Sequence, residues 1–254
     1  MRRLALVLAA LLFAGCAAVP RPAAPPAVIG DPPYAAWRQV LTRFVDREGR
    51  VDFAGIARER ADLDRFVAHV YDVGPNNQPQ LFASREAVLA YHLNAYNALA
   101  MHQVIESGIP ASLAGFAKVG FFYSRKVMVG GAPISLYDYE NKVIRPLGEP
   151  RIHFALNCMS IGCPRLPREP FTAERLDAQL ERETRLFLDD PRNVLVDDGA
   201  KILRLSEIFG FYTSDFLAAA PSLAAYVNRY RERKVAEDYR VEFIPYDWTI
   251  NRQP

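Results

Sequence analysis

The chain has 254 residues, of which 50% are hydrophobic and 24% charged. That is room for one large domain or two small ones, and too apolar for a mainly disordered chain. Its 31 basic and 29 acidic side chains leave a net charge of +2, so no whole-protein field draws a polyanion, and nucleic acid is not an expected partner. Three cysteines are too few for a disulfide-built scaffold.

Met1-Arg2-Arg3 is a short basic start, and Leu4 to Phe13 is an unbroken apolar run. The run is shorter than the ~20 apolar residues of a spanning helix and fits the apolar region of an export signal. Ala14-Gly15-Cys16 follows at once, and small residues ahead of a cysteine match a bacterial lipobox, with Phe13 where leucine is commoner. The expectation is cleavage before Cys16 and attachment of acyl chains such as palmitate there; an ordinary signal peptide with an incidental cysteine is the alternative. Residues 1–15 are then a lipoprotein signal peptide, 16–33 a lipidated cysteine with a tether, and 34–254 the globular domain. Pro20, Pro22, Pro25, Pro26, Pro32 and Pro33 stand in the tether among small residues, and such a composition favours extended chain over helix or sheet. Loss of Arg2 and Arg3 leaves 29 basic and 29 acidic side chains. Anchoring would therefore rest on the acyl chains, and stable anchoring takes more than one. Ala17 rather than aspartate follows Cys16, which favours the outer membrane, with the domain facing the periplasm.

The body shows no second linker, no repeat and no heptads, so a single domain without a coiled coil is expected. Trp37, Val40, Leu41, Phe44 and Val45 recur at helical spacing, Val51-Asp52-Phe53 reads as extended, and Leu63, Phe66, Val67 and Val70 suggest a second helix closed by Gly74-Pro75-Asn76-Asn77. Ser84 caps the most informative helix: from Ala87 to Ile105 there is no Asp, Glu, Lys or Arg. A helix apolar nearly all round is buried, and its Asn94 and Asn97 must then find partners by bracing a neighbouring loop or strand. Residues 118–136 read as β-rich with a Gly130-Gly131 turn, and Ser135 caps a short helix that carries Glu140 and ends near Pro146. Ile152 to Leu156 reads as a buried strand. Leu176 to Leu188 forms an amphipathic helix, a hairpin turns at Asp198-Gly199, helices cover 208–217 and 223–230, and Val241 to Pro245 is a last strand. The predicted fold is α+β: a single domain with a buried central helix packed on a small mixed or antiparallel sheet.

Reactive types concentrate in Arg151-Ile152-His153-Phe154-Ala155-Leu156-Asn157-Cys158-Met159-Ser160-Ile161-Gly162-Cys163-Pro164. In a catalytic reading Cys158 is the nucleophile, His153 its base, and Glu140 or Asn157 orients the imidazole, since a thiolate needs a cationic neighbour to lower its pKa and a base needs a partner to fix its tautomer. On a straight strand, residues 153 and 158 point to opposite faces, so the dyad requires a turn at or before Cys158. Cys163 could return toward His153 instead. Three other readings stand beside this one: a Cys158–Cys163 disulfide, two buried inert thiols, and metal ligation with His153, which lacks a clear fourth ligand. No metal and no cofactor is therefore expected. His92 reads as a core residue, His102 and His69 as surface or boundary positions. The closing Tyr246-Asp247-Trp248-Thr249-Ile250-Asn251 could dock with Trp248 as anchor and bring Asp247 to a histidine.

Tyr91-His92-Leu93-Asn94-Ala95-Tyr96-Asn97-Ala98-Leu99, then Ser135-Leu136 with Glu140, then Arg151 to Pro164 resemble the family called domain of unknown function 547. Val51-Asp52-Phe53, the stretch Leu205 to Tyr212 and the closing Tyr246 to Asn251 resemble it too, so the likeness runs from about residue 50 to 251. His92 stands where the family has tryptophan, and Met159 where a small residue is more familiar. The resemblance implies a bacterial envelope or plant-type domain, and for bacterial members a likeness to papain-like cysteine hydrolases. On it, Cys158, His153 and Glu140 are the positions of the most reactive motif residues, with Asn157 beside them and Asn94, Asn97, Cys163, Ser160 and Asp247 in support. The expected function is a lipid-anchored, thiol-dependent hydrolase or acyl-transfer domain acting on peptide, peptidoglycan or protein substrates. The alternative is a non-catalytic binding or scaffold module whose His/Cys loop is structural.

Overall fold

The computed structural model describes residues 19–24 and 34–254; the export-signal run and Cys16 lie outside them. Helix α1 (Tyr34–Phe44) buries Trp37, Val40, Leu41 and Phe44, and Trp37 stacks on Phe66 of α3 (Ala61–Asp72) at 5.6 Å. Between them Asp52 caps α2 (Phe53–Arg58) by accepting the Gly55 N–H. Helix α4 (Arg85–Glu106) starts at Ser84, whose hydroxyl accepts the Ala87 N–H, and every residue from Leu89 to Ile105 is buried. Two short helical turns follow, α5 (Phe116–Lys118) and α6 (Leu136–Asp138), flanking the hairpin β1 (Val127–Val129) and β2 (Ala132–Ile134). Gly130 and Gly131 make its turn at φ 56° and 81°, values open to glycine without strain.

The second half begins with α7 (Leu176–Asp189). A mixed sheet follows, in which β4 (Ile202–Ser206) pairs antiparallel with β3 (Val194–Asp197) and parallel with β5 (Arg240–Ile244). Between β4 and β5 lie α8 (Ile208–Phe211), α9 (Thr213–Ala219) and α10 (Leu223–Asn228). The architecture is α+β, with two apolar cores. One gathers α1 to α4 with Phe121, Leu136, Met159 and Ile250; the other gathers Phe154, Phe187, the sheet and α8 to α10. The neighbours of the central helix α4 are mainly helical, namely α2, α3, a wide π turn at Tyr139–Ile144 and a 3-10 turn at Ala173–Arg175. The hairpin lies on α3 instead.

Three local expectations change. Ile152 to Leu156 is not a strand: Pro150–Phe154 is a 3-10 helix whose N-cap, Glu149, accepts the Arg151 N–H. Proline at its first turn presets the helical φ, and a buried apolar run is equally compatible with either backbone. The objection that residues 153 and 158 face opposite ways therefore falls away. In 118–136 only the hairpin is extended, because Val119–Ser124 winds as a π turn. His102 is no surface residue: it is 1% exposed, 3.1 Å from the Arg60 guanidinium.

The start of the described chain is clamped. Val19 is 5% exposed; its N–H donates to the Lys126 carbonyl at 2.8 Å and its carbonyl accepts the Tyr71 hydroxyl at 2.7 Å. Arg21 adds a two-pronged ion pair with Asp72. Among the described residues no helix is long and apolar enough to cross a membrane.

Burial of imidazoles makes the fold acid-sensitive. Burial lowers His92 and His102 to about 4. The unfolded chain binds protons at both positions below about pH 6.5, whereas the native protein does not until about pH 4, so stability is lost as pH falls across that window. The expected loss at pH 4.5 is on the order of 2 kcal/mol per histidine. Urea titrations at pH 6.5 and 4.5 check this, and the drop between them should be smaller in His92→Gln than in the parent.

Candidate active site

The site is hung from α4. The Asn97 side chain donates to the Ala155 carbonyl at 3.0 Å and accepts the Asn157 N–H at 2.7 Å. One turn earlier Asn94 grips the backbone of Phe171 in the same way, at 2.8 and 3.0 Å. Asn157 in turn donates to the Pro164 carbonyl and accepts the Met159 N–H, both at 2.7 Å. Its side chain is thereby spent on holding the loop and orients no imidazole. Met159 is fully buried at φ 71°, a left-handed conformation uncommon outside glycine. The strained residue sits directly after Cys158 and turns the chain there. The far side of the loop is laced to the C-terminal segment by Ile161 N–H to Thr249 O and Gly162 N–H to Asp247 O, each 2.8 Å. A Cβ on Gly162 would stand 2.9 Å from the Asp247 nitrogen and the Tyr246 ring, so this close approach requires glycine.

The turn brings the two thiols together. Cys158 Sγ and Cys163 Sγ are 2.9 Å apart, and both are free. The Tyr246 hydroxyl reaches both sulphurs, at 3.3 and 2.9 Å; Ser160 Oγ lies 3.4 Å from Cys158 Sγ, and the Cys158 N–H donates to Cys163 Sγ at 3.0 Å. Burial pushes the Cys158 thiol up, but hydrogen bonds from Cys163, Ser160 and Tyr246 outweigh it and carry the thiol below its usual range. Burial and the adjoining Cys158 hold Cys163 well above that range. Burial likewise keeps the Tyr246 hydroxyl protonated. The pair thus behaves as one coupled acid that gives up a first proton readily and retains the second.

His153 is reached from the other core. Its ring is fully buried, stacked on Tyr212 at 3.9 Å and edged by Phe216. Nε2 is 2.9 Å from Asp215 Oδ2, while Nδ1 is buried with no partner. Asp215 also takes two hydrogen bonds from Arg145, at 2.8 and 2.7 Å. Burial opposes ionisation of Asp215, but those bonds and His153 hold its carboxyl well below the usual carboxylate range. The group that fixes the imidazole is therefore Asp215, not Glu140. Glu140 is 8% exposed and accepts the Tyr96 hydroxyl at 3.2 Å, with Tyr212 beside it in the cavity wall. Burial raises both tyrosines, so each stays protonated. Asp247 reaches no histidine; it is exposed and accepts the Thr249 N–H at 2.9 Å. Trp248 is partly buried against Phe122.

A cavity of about 70 Å³ runs between the two cores, lined by Cys158, Cys163, His153, Glu140, Tyr96 and Tyr246 among others. No hydrogen bond joins His153 to either sulphur. Among the described residues no group of His, Cys, Asp and Glu is suited to hold a metal ion.

Residues 81–188 match the family described as "Protein of unknown function, DUF547". Residues 81–188 belong to that family. The DUF547 stretch supplies Asn97, Glu140, His153, Cys158 and Cys163; the rest of the chain adds Tyr212 and Tyr246 to the cavity walls and Asp215 behind His153. No curated protein and no solved structure matches the chain.

Proposed function

We propose that this DUF547 chain is a cell-envelope lipoprotein whose domain performs thiol-dependent acyl transfer or hydrolysis on amide or ester bonds. One observation carries the reading of the site: Cys158 and His153 line the same cavity, with Nε2 of the imidazole engaged by Asp215 and Nδ1 unpartnered. A carboxylate on one ring nitrogen sets the tautomer that leaves the other to take and return a proton. Hydrogen bonds that act in catalysis are often long in the empty site and tighten around substrate.

In the proposed reaction the Cys158 sulphur attacks the carbonyl carbon while its proton passes to His153 Nδ1. The carbonyl π bond opens and re-forms, the bond to the leaving amine or alkoxide breaks, and that group takes the proton from the imidazolium. Water then attacks the thioester, its proton passes to His153, and the carboxylic acid departs as Cys158 regains its proton. Tyr246 and Ser160 hold the sulphur in place throughout. Cys163 acts as a reserve donor to the thiolate.

The Leu4 to Phe13 run with Ala14-Gly15-Cys16 supports the envelope part of the reading. Val19, three residues beyond Cys16, is clamped beside Lys126 and Tyr71, which keeps the domain close to an anchor at Cys16. Its membrane would be the outer one, with the domain facing the periplasm.

A p-nitrophenyl ester tests the site. The expected results are a burst of one equivalent of nitrophenol and a mass gain of one acyl group on the peptide holding Cys158, both lost in Cys158→Ala. A second reading, a non-catalytic binding module, is favoured by the absence of a hydrogen bond between His153 and either sulphur. No burst and no acylated peptide from a folded protein would select it.

A further inference from the structure

Beside the thiol cavity lies a second, wider one of about 280 Å³, lined by Lys118, Tyr123, Tyr137, Arg145, Phe211 and Trp248 among others. The two share Phe122, Glu140, Phe211, Tyr212 and Trp248 as walls, so they adjoin in one cleft. Its outer walls are aromatic and open to solvent: Tyr123, Tyr137 and Phe211 are each more than 40% exposed. Soluble proteins do not ordinarily gather large rings at one open place, and such a patch marks a binding surface.

The charges of the cleft are distributed unevenly. Arg145 is engaged by Asp215 and Asn141. Lys118 is half-buried, with its ammonium 4.0 Å from the Trp248 ring centre and 5.9 Å from that of Phe211. Lys126, Lys142 and Lys201 meet carboxylates, and Lys234 meets backbone carbonyls. Among the described residues Lys118 alone of the lysines meets neither. Lys118 lines only the wider cavity and the two thiols only the narrower one, with Glu140 a wall of both. An anion entering the wider cavity is thus drawn to Lys118, which no carboxylate holds.

We infer that the cleft binds a carboxylate-bearing acyl compound with an aromatic or similarly flat ring beside the carboxylate. The C-terminal aromatic residue of a peptide has this chemistry. The carboxylate pairs with Lys118, the ring lies among Trp248, Phe211, Tyr123 and Tyr137, and the amide points inward past Glu140 toward Cys158. This deepens the reading above, and its orientation of the amide rests on that reading; the binding step does not.

N-acetyl-phenylalanine, with N-acetyl-phenylalaninamide as its uncharged control, tests the inference by fluorescence. Trp248 lines the cleft, while Trp37, the other tryptophan, is 1% exposed and serves as internal reference. The acid should change Trp248 emission and bind about tenfold more tightly than the amide, the scale of one charge-assisted contact. Lys118→Gln should remove that preference and Lys118→Arg should keep it, with amide binding the same in all three proteins. Equal binding of acid and amide, indifference to Lys118→Gln, or no binding of either overturns the inference. Neither compound needs a reactive thiol. Selective binding without acylation of Cys158 would therefore end the hydrolase reading alone, and acylation without selective binding would end this inference alone.

Discussion

Asn97→Ala lowers the stability of the domain by about 2–6 kcal/mol, because it strands two buried backbone groups at once. The Ala155 carbonyl and the Asn157 N–H both meet the Asn97 side chain and have no water to turn to. Leaving each unsatisfied costs about 1–3 kcal/mol. Urea unfolding measures the loss. Asn94→Ala is the matched control, since Asn94 grips Phe171 with the same pair of bonds on the same helix. The two should destabilise alike, but only Asn97→Ala should disturb the loop before Cys158 and change the rate at which iodoacetamide labels it. A loss below about 0.5 kcal/mol in Asn97→Ala, within the range of an ordinary surface change, would mean that α4 does not hang the loop.

Asp215→Asn lowers the rate of Cys158 acylation by about two to four orders of magnitude, the range seen when a base loses its tautomer and proton-transfer role. An amide cannot accept from His153 and from both Arg145 nitrogens as the carboxylate does. The split between constants separates this from general damage: kcat falls while KM holds, because Asp215 belongs to the imidazole and not to the cleft walls. His153→Ala should fall at least as far. The same carboxylate adds stability that is fully present above about pH 4, the ordinary value for aspartate, and is lost as pH falls through its depressed native value. Asp215→Asn should accordingly show a shallower decline in stability below pH 4 than the parent.

How far the sequence reveals these features depends on how local their causes are. The charge-free stretch Ala87 to Ile105 announces a buried helix, Ser84 its start, and Asp198-Gly199 the turn between β3 and β4, since each is decided by neighbours within a few residues. Ile152 to Leu156 misleads because a short buried apolar run suits strand and 3-10 helix alike; Pro150 and Glu149 were the local signals that decide for the helix. The thiol loop is legible as a cluster of reactive types, but its partners are not. Asp215 lies 62 positions from His153 and Tyr246 lies 88 from Cys158, and such pairings arise only when two cores close on each other. Glu140 was visible in its motif, yet its hydrogen bond comes from Tyr96, 44 positions away. The closest available hint for Asp215 was its spacing of three from Tyr212, which puts both on one side of a helical turn facing His153.

Hydrogen bonds from Cys163, Ser160 and Tyr246 carry the Cys158 thiol below its usual range, and the pH dependence of alkylation reads this out. The protein is treated with iodoacetamide from pH 4 to 9 with and without reductant, and the modified residue is located by mass spectrometry. The expected result is rapid labelling of Cys158 well below pH ~8.5, where ordinary thiols begin to ionise, with Cys163 slower throughout and little effect of reductant. Labelling of both cysteines only above that pH, or none until reductant is added, would contradict it.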